Sequence, residues 1–519
     1  MCPLEEIHIK ITGSPRALPD TDLGGVSAFS SRAALQTAYQ QINVEIDWLE
    51  AAIKAWKERH NSLNITSRLP PEILSIIFKH VTDHQRMKWI QISHVCTHWR
   101  RVALECPGLW TTITIPSLHP SLAEKMLERS KAAPLAVEIN ASTHNLRQKQ
   151  LVTMVLAGMS RIQELSFRHR HGHGDKMKEI LAVFITSPAP LLETFNLSFG
   201  NHDERYVLPK HIFSGQSLRL HELELQGCIP DWTSLFLRGL TVLKVSFVAA
   251  GVKSPVNEVL AALRDMPNLE VLSLCKALSM ASAGAASNVF SGPLVSLPRL
   301  SQVHIESEVR ECASLLNRLT YPSSVYVSLN CTVSPRSVDS LDLSHSLPFI
   351  DGLGRDLSKA KPVRSLEVQY LSHPQVIRLT ASDAPEKADL PQLDFTLLSS
   401  TGMHYSNGRS RESVWAELLQ TLWLSIPTNN LETLDIIQNS EFQNIWPNVF
   451  DGLTAATNLR RLAVVEDSGI SFLRAFSPDS PVRQTAKSNR RVPLRIPSLR
   501  ELAIERWILS QVADDGKCS

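Results

Sequence analysis

Three imidazoles stand within five residues at His169-Arg170-His171-Gly172-His173, a pattern that could hold a metal ion. A closed site needs a full set of nitrogen, sulfur or carboxylate ligands at suitable spacing. No Cys or carboxylate cluster completes such a set, and the glycines read as a solvated loop after a strand ending at Phe167. A second cluster, Arg483, Lys487, Arg490, Arg491 and Arg495, lies in a serine- and proline-bearing insertion. It is either a solvated loop or a contact for an anion, a phosphopeptide or an acidic target.

Catalytic signatures are absent: the chain has no Gly-x-Ser-x-Gly, no His-Glu-x-x-His, no phosphate-binding glycine-rich loop and no dinucleotide fingerprint. The expectation is a protein without enzymatic activity, cofactor or metal. An enzyme whose site is assembled from distant residues would instead show a deep polar pocket with converging titratable groups.

Composition narrows the partners. With 519 residues, 43% of them hydrophobic, the chain can bury a large core and form more than one structural unit. Its 53 basic and 51 acidic residues leave a formal charge of +2, which gives no global attraction to nucleic acid or to an anionic membrane. The 8 cysteines are scattered without a Cys-x-x-Cys pair, as expected of buried small residues or inert thiols in a reducing compartment. The N-terminus has no apolar run of signal length, and no segment approaches the roughly twenty apolar residues that span a bilayer. Cytoplasm or nucleus is the expected location.

The elements that would position a site begin after an N-terminal arm, residues 1–30, marked by Gly13-Ser14-Pro15 and Gly24-Gly25. Residues 33–63 read as one helix with Leu35, Ile42, Leu49, Trp56 and Leu63 at seven-residue intervals and Tyr39, Ile46, Ile53 and His60 filling the alternate seam. That stripe fits lengthwise packing on the next segment or a homodimer through residues 35–63.

The next segment, Leu69 to Trp110, carries more apolar surface than so small a unit can hide. Pro71 is preset for a first helical position and Glu72 adds a negative charge there, so a helix runs from Pro71 to about Val81. Ile73, Leu74, Ile76, Ile77 and Phe78 exceed the stripe about 100° wide that covers one core. A second helix, about Met87 to Ala103, places Ile92, Val95, Cys96, Trp99, Val102 and Ala103 at helical spacing, and Pro107-Gly108 ends it.

These residues resemble an F-box, in the F-box-like form common in mushroom-forming fungi. The marks are Leu69-Pro70-Pro71-Glu72-Ile73-Leu74, then Val95-Cys96 with Trp99-Arg100, then Leu109-Trp110, within a domain of residues 66–112. The resemblance implies docking on a Skp-type adaptor, and through it a cullin scaffold, with the rest of the chain holding a protein substrate. It points to Leu69, Pro70, Glu72, Ile73, Leu74, Ile77 and Phe78 as adaptor contacts, and to Val95 and Trp99 as the core of the hairpin. A helical hairpin that caps a protein-interaction scaffold, with no ligase link, is the alternative.

From residue 113 to 519 a degenerate L-x-x-L-x-L unit recurs. It reads Ile162, Leu165, Phe167; Leu192, Phe195, Leu197; Leu220, Leu223, Leu225; Leu240, Leu243, Val245; Leu269, Leu272, Leu274; and Leu300, Val303, Ile305. More distant units centre on Leu366, Leu393, Leu434, Leu462 and Leu502. The first six centres are separated by 30, 28, 20, 29 and 31 residues, near the upper end of leucine-rich-repeat periods of about 20 to 29. The expected fold is an α+β or α/β solenoid: a helical F-box-like domain followed by an irregular leucine-rich-repeat horseshoe. His373 to Lys387 reads as a loop, and Trp415 to Leu422 as an inserted helix.

Overall fold

Ser31 starts the first helix: its hydroxyl accepts from the Ala34 N–H at 3.3 Å, and α1 runs Arg32–Ser62. The computed structural model describes residues 26–84, 88–115, 118–141, 146–169, 182–200, 207–246, 253–280, 293–333, 362–371, 376–384, 392–399, 426, 428–438, 456–466 and 498–506. His171, His173, the Arg483–Arg495 cluster and the expected helix at Trp415 lie outside the described residues. Two units are distinguished, Met1–Trp110 and Thr111–Ser519.

The first unit is helical. After α1 a short 3₁₀ turn, Ile65–Arg68, is fastened by the Ser67 hydroxyl, which donates to the Asn61 carbonyl at 2.7 Å. Helix α2, Pro71–His84, opens on the proline with Glu72 in its first turn. The expected helix Met87–Ala103 divides in two: a 3₁₀ stretch, Lys88–His94, and α3, Thr97–Glu105. The break falls at Cys96, whose extended backbone (φ −158°) cannot continue a helix and whose sulfur accepts from the Trp99 N–H at 3.4 Å. Leu109 and Trp110 are buried behind α3, with the indole N–H of Trp110 donating to the Ala103 carbonyl at 2.9 Å.

The long helix does not cover its seam against the hairpin. Only Ala38 of α1 is buried, while Tyr39, Ile42, Ile46, Leu49, Ile53 and Trp56 stay exposed. Lengthwise self-packing is therefore corrected. Thr111 begins a different architecture. No helix among the described residues is long and apolar enough to cross a membrane.

The second unit is a mixed α/β region built on one large sheet. Its strands are β1 Thr112–Ile115, β2 Leu135–Ala141, β3 Ile162–His169, β4 Thr194–Phe199, β5 Glu222–Gln226, β6 Val242–Ser246, β7 Val271–Cys275, β8 Gln302–Glu308 and β9 Tyr326–Val333. They continue with β10 Ser365–Leu371, β11 Val376–Ser382, β12 Leu393–Ser399, β13 Thr433–Gln438, β14 Arg461–Glu466 and β15 Glu501–Arg506. Strands β1 to β9 pair in chain order and in parallel, with α4 Pro120–Arg129, α5 Leu146–Leu156, α6 Val256–Arg264 and α7 Val309–Leu316 among the connections.

The recurring apolar positions explain the register. Leu165, Phe195, Leu223, Leu243, Leu272 and Val303 stand opposite one another across β3 to β8, and so do Phe167, Leu197, Leu225, Val245, Leu274 and Ile305. All are buried, so a slip of one residue would turn each of them to the other face. Phe184 meets Phe167 and Phe195 edge-on at centroid distances of 5.8 and 5.6 Å, Phe213 meets Phe195 edge-on at 5.1 Å, and Phe184 and Phe213 lie tilted against each other at 6.1 Å.

The chain then leaves sequential order. Strand β9 pairs with β12, and the sheet continues β12-β11-β10-β13-β14-β15, with β11 antiparallel to both neighbours. The expected loop from His373 to Lys387 is thus a strand in part. Ile377, Leu379 and Ala381 alternate inward there, and a short run with apolar residues two apart carries too little signal to separate strand from loop in the sequence.

Candidate partner-docking site

Helix α2 presents two apolar faces. Leu74 and Phe78, four residues apart, turn inward and are each 1% exposed. Phe78 lies against Trp99 of α3, ring centroids 5.1 Å apart and planes at 53°. Burying two such side chains contributes roughly 1.5–3 kcal/mol each. These two residues are core, which corrects their expected place among the adaptor contacts: closing α2 on α3 demands a large apolar pair at i, i+4.

The other face is open. Ile73, Ile76, Ile77 and Val81 are 42, 53, 43 and 38% exposed, a run of branched side chains left uncovered among the described residues. Pro70 and Glu72 are exposed at the same end and Leu69 is half-buried. Leu63 and Ile65, just before α2, are more exposed still. Ile76, Val81, Leu63 and Ile65 were not among the expected contacts, although they are exposed apolar residues as well. Ile76 was legible as part of an apolar surplus, but its face could be assigned only once Leu74 and Phe78 were known to point in.

Val95 is also corrected: it is 57% exposed and no part of the hairpin core. The break at Cys96 places Val95 at the turn between the 3₁₀ stretch and α3, whereas an unbroken helix would have carried it inward. Trp99 packs on Phe78, and Val102 and Ala103 of the same helix are buried.

The second unit offers different chemistry. On the face of the sheet opposite the leucines, Glu138, Ser166, Asn196, Glu224, Lys244, Ser273 and His304 form one cross-strand row. Burial shifts titratable groups among its described residues. Burial raises the Cys228 thiol, and burial is the first cause raising Glu311, whose carboxylate accepts from the Ser307 hydroxyl and from the Glu308 N–H at 3.2 Å at the start of α7. His169 ends β3 and is buried. Among the described residues no group of three or more His, Cys, Asp or Glu side chains is placed to hold a metal ion.

A family model described as F-box-like matches residues 66–116, which takes in α2, α3, the Leu109-Trp110 stop and β1. No curated protein matches the chain. The match defines an F-box-like domain in the N-terminal helical region, implies contact with a Skp-type adaptor, and points to a substrate-adaptor role in Skp-cullin-F-box ligases.

Proposed function

We propose that the protein is a non-catalytic substrate receptor of a Skp-cullin-F-box ubiquitin ligase. Residues 66–112 dock on the adaptor and, through it, a cullin scaffold, and a leucine-rich-repeat solenoid from residue 113 onward holds a protein target. The observation that carries the reading is the exposed Ile73-Ile76-Ile77-Val81 face within the F-box-like match. Apolar anchors of that kind dominate protein interfaces, and an uncovered patch of them marks an interaction site. The solenoid rests on the in-register leucine ladder and on parallel strands joined by covering segments. Acceleration of ubiquitin transfer would then come from holding the target at high effective concentration.

The adaptor contacts on this reading are Leu69, Pro70, Glu72, Ile73, Ile76 and Ile77, with Leu74, Phe78 and Trp99 shaping the helix pair that presents them. Capture of the Skp adaptor and a cullin by the full chain from cells, compared with an Ile73→Asp, Ile77→Asp form, tests it. Loss of both partners in the variant supports the receptor. Equal recovery of both, or of neither from the wild type, favours a scaffold whose helices merely cap the repeats.

Helix α1 adds a second surface. Its exposed Ile42, Ile46, Leu49, Ile53 and Trp56 keep the seven-residue spacing of a two-stranded coiled coil, with branched Ile46 and Ile53 on one seam and Leu49 on the other. The partner proposed for it is the α1 of a second copy, which would give a receptor dimer. Sedimentation of the full chain should report a dimer that an Ile46→Asp, Ile53→Asp form converts to monomer; a monomeric wild type at its highest soluble concentration rules the dimer out.

A further inference from the structure

The seam of α1 is flanked unequally. One flank, beside Tyr39, Ile46 and Ile53, carries Gln36, Asn43, Glu50 and Lys57, and all four are exposed. The other, beside Leu35, Ile42, Leu49 and Trp56, carries Ala38, Glu45, Ala52 and Arg59. There Ala38 is buried and Glu45 and Ala52 are half-buried. A second helix therefore reaches the seam most freely from the side of Glu50 and Lys57.

Charges beside a coiled-coil seam set the orientation of the pair. In a parallel pair each flank meets the opposite flank of the second copy. That geometry puts Glu45 against Glu50 of the second copy on both sides of the pair, and Lys57 against the uncharged Ala52. Like charges so placed are destabilising. It also presses the partly covered flank into contact along its whole length. In an antiparallel pair each flank meets its own counterpart, so the open flank faces the open flank. With Ile53 opposite Trp56 of the second copy, Leu49 opposite His60 and Ile46 opposite Leu63, Glu50 of each copy comes to Lys57 of the other, twice by symmetry. This alignment covers Leu63 and Trp56, which are 71 and 62% exposed. On the covered flank it brings Ala52 to Arg59, with no like-charge contact.

We infer that two copies of α1 pair antiparallel, joined on the open flank by ion pairs between Glu50 of one and Lys57 of the other. The inference rests on the reading that α1 dimerises, and it fixes how. Its consequence is positional. At a rise of 1.5 Å per residue, this alignment sets the last turns of the two helices on the order of 20 Å apart along the axis and running in opposite directions. The Ser67 hydroxyl, donating to the Asn61 carbonyl at 2.7 Å, ties the turn that leads into α2 to the end of α1. Each α2 therefore leaves the pair at its own end, and a receptor dimer carries its two adaptors apart rather than side by side.

The test is sedimentation equilibrium of the full chain over a concentration series, as wild type, as Glu50→Lys, as Lys57→Glu and as an equimolar mixture of the two variants. Both positions are exposed, so neither substitution enters the core of the unit. Antiparallel pairing predicts a wild-type dimer whose dissociation constant rises about ten-fold in each variant alone, where two ion pairs become two like-charge contacts. The mixture should return close to the wild-type value, because every flanking pair is again opposite in charge, and a variant that had merely unfolded could not be rescued this way. Parallel pairing predicts the reverse: Glu50→Lys tightens the dimer by meeting Glu45, and Lys57→Glu leaves it unchanged. That result, or a dimer indifferent to both substitutions, overturns the orientation and leaves the dimer standing. A wild type that stays monomeric at its highest soluble concentration removes the dimer and the orientation with it.

Discussion

Phe78 and Trp99 pack ring against ring across α2 and α3, with centroids 5.1 Å apart. This contact decides which way α2 faces. With Leu74 and Phe78 committed inward, the neighbouring Ile73, Ile76 and Ile77 have no place in the core and emerge as surface.

Substitutions at two adjacent positions of one helix should therefore differ sharply in cost. Phe78→Ala opens a cavity in the core and should cost about 3–5 kcal/mol, seen as an early melting transition of the helical unit. Ile77→Asp removes only surface apolar area and should shift stability by under about 1 kcal/mol. Calorimetry of the two variants checks it, and equal destabilisation would mean that Ile77 is packed after all.

Gly227 turns the chain just after β5 with φ +77°, and a Cβ added there would sit 2.7 Å from the Phe199 carbonyl oxygen. Both the left-handed backbone and the clash with main chain oppose any side chain, because neither can be relieved by a rotamer change. Gly227→Ala should cost on the order of 1–3 kcal/mol and lower the denaturation midpoint. Gly215, also at positive φ but with open space around its Cβ, should lose less on the same substitution.

Glu311 makes the stability of the second unit depend on pH. Burial raises its pKa, so the folded state takes up the proton more readily than the unfolded one. Its contribution is fully present below the unfolded glutamate value and is lost as pH rises through the raised folded value. Glu311→Gln keeps an acceptor for the Glu308 N–H without the charge. Its advantage in melting temperature over the wild type should widen from about pH 4 upward and then level off. A difference that stays constant with pH would show that Glu311 is not desolvated in solution.

Much of this was legible in the chain. Pro71 and Glu72 marked the start of α2, and the leucine spacing anticipated the strands from β3 to β8, because both signals are local. What the sequence hid depends on long-range choices. Leu74 and Ile73 are equally apolar, and only burial in the folded helix pair separates core from surface. Cys96 breaks a helix whose apolar spacing runs straight through it. Strand β11 inserts by pairing with β10 and β12, which no local pattern specifies.

The central claim is that the outer face of α2 binds a Skp-type adaptor. Titration calorimetry of the purified full chain against the purified adaptor measures this directly. The account predicts saturable 1:1 binding that is lost in Ile73→Asp, Ile77→Asp while that variant keeps the melting profile of the wild type. No binding by the folded wild type, or equal binding by the variant, would contradict it.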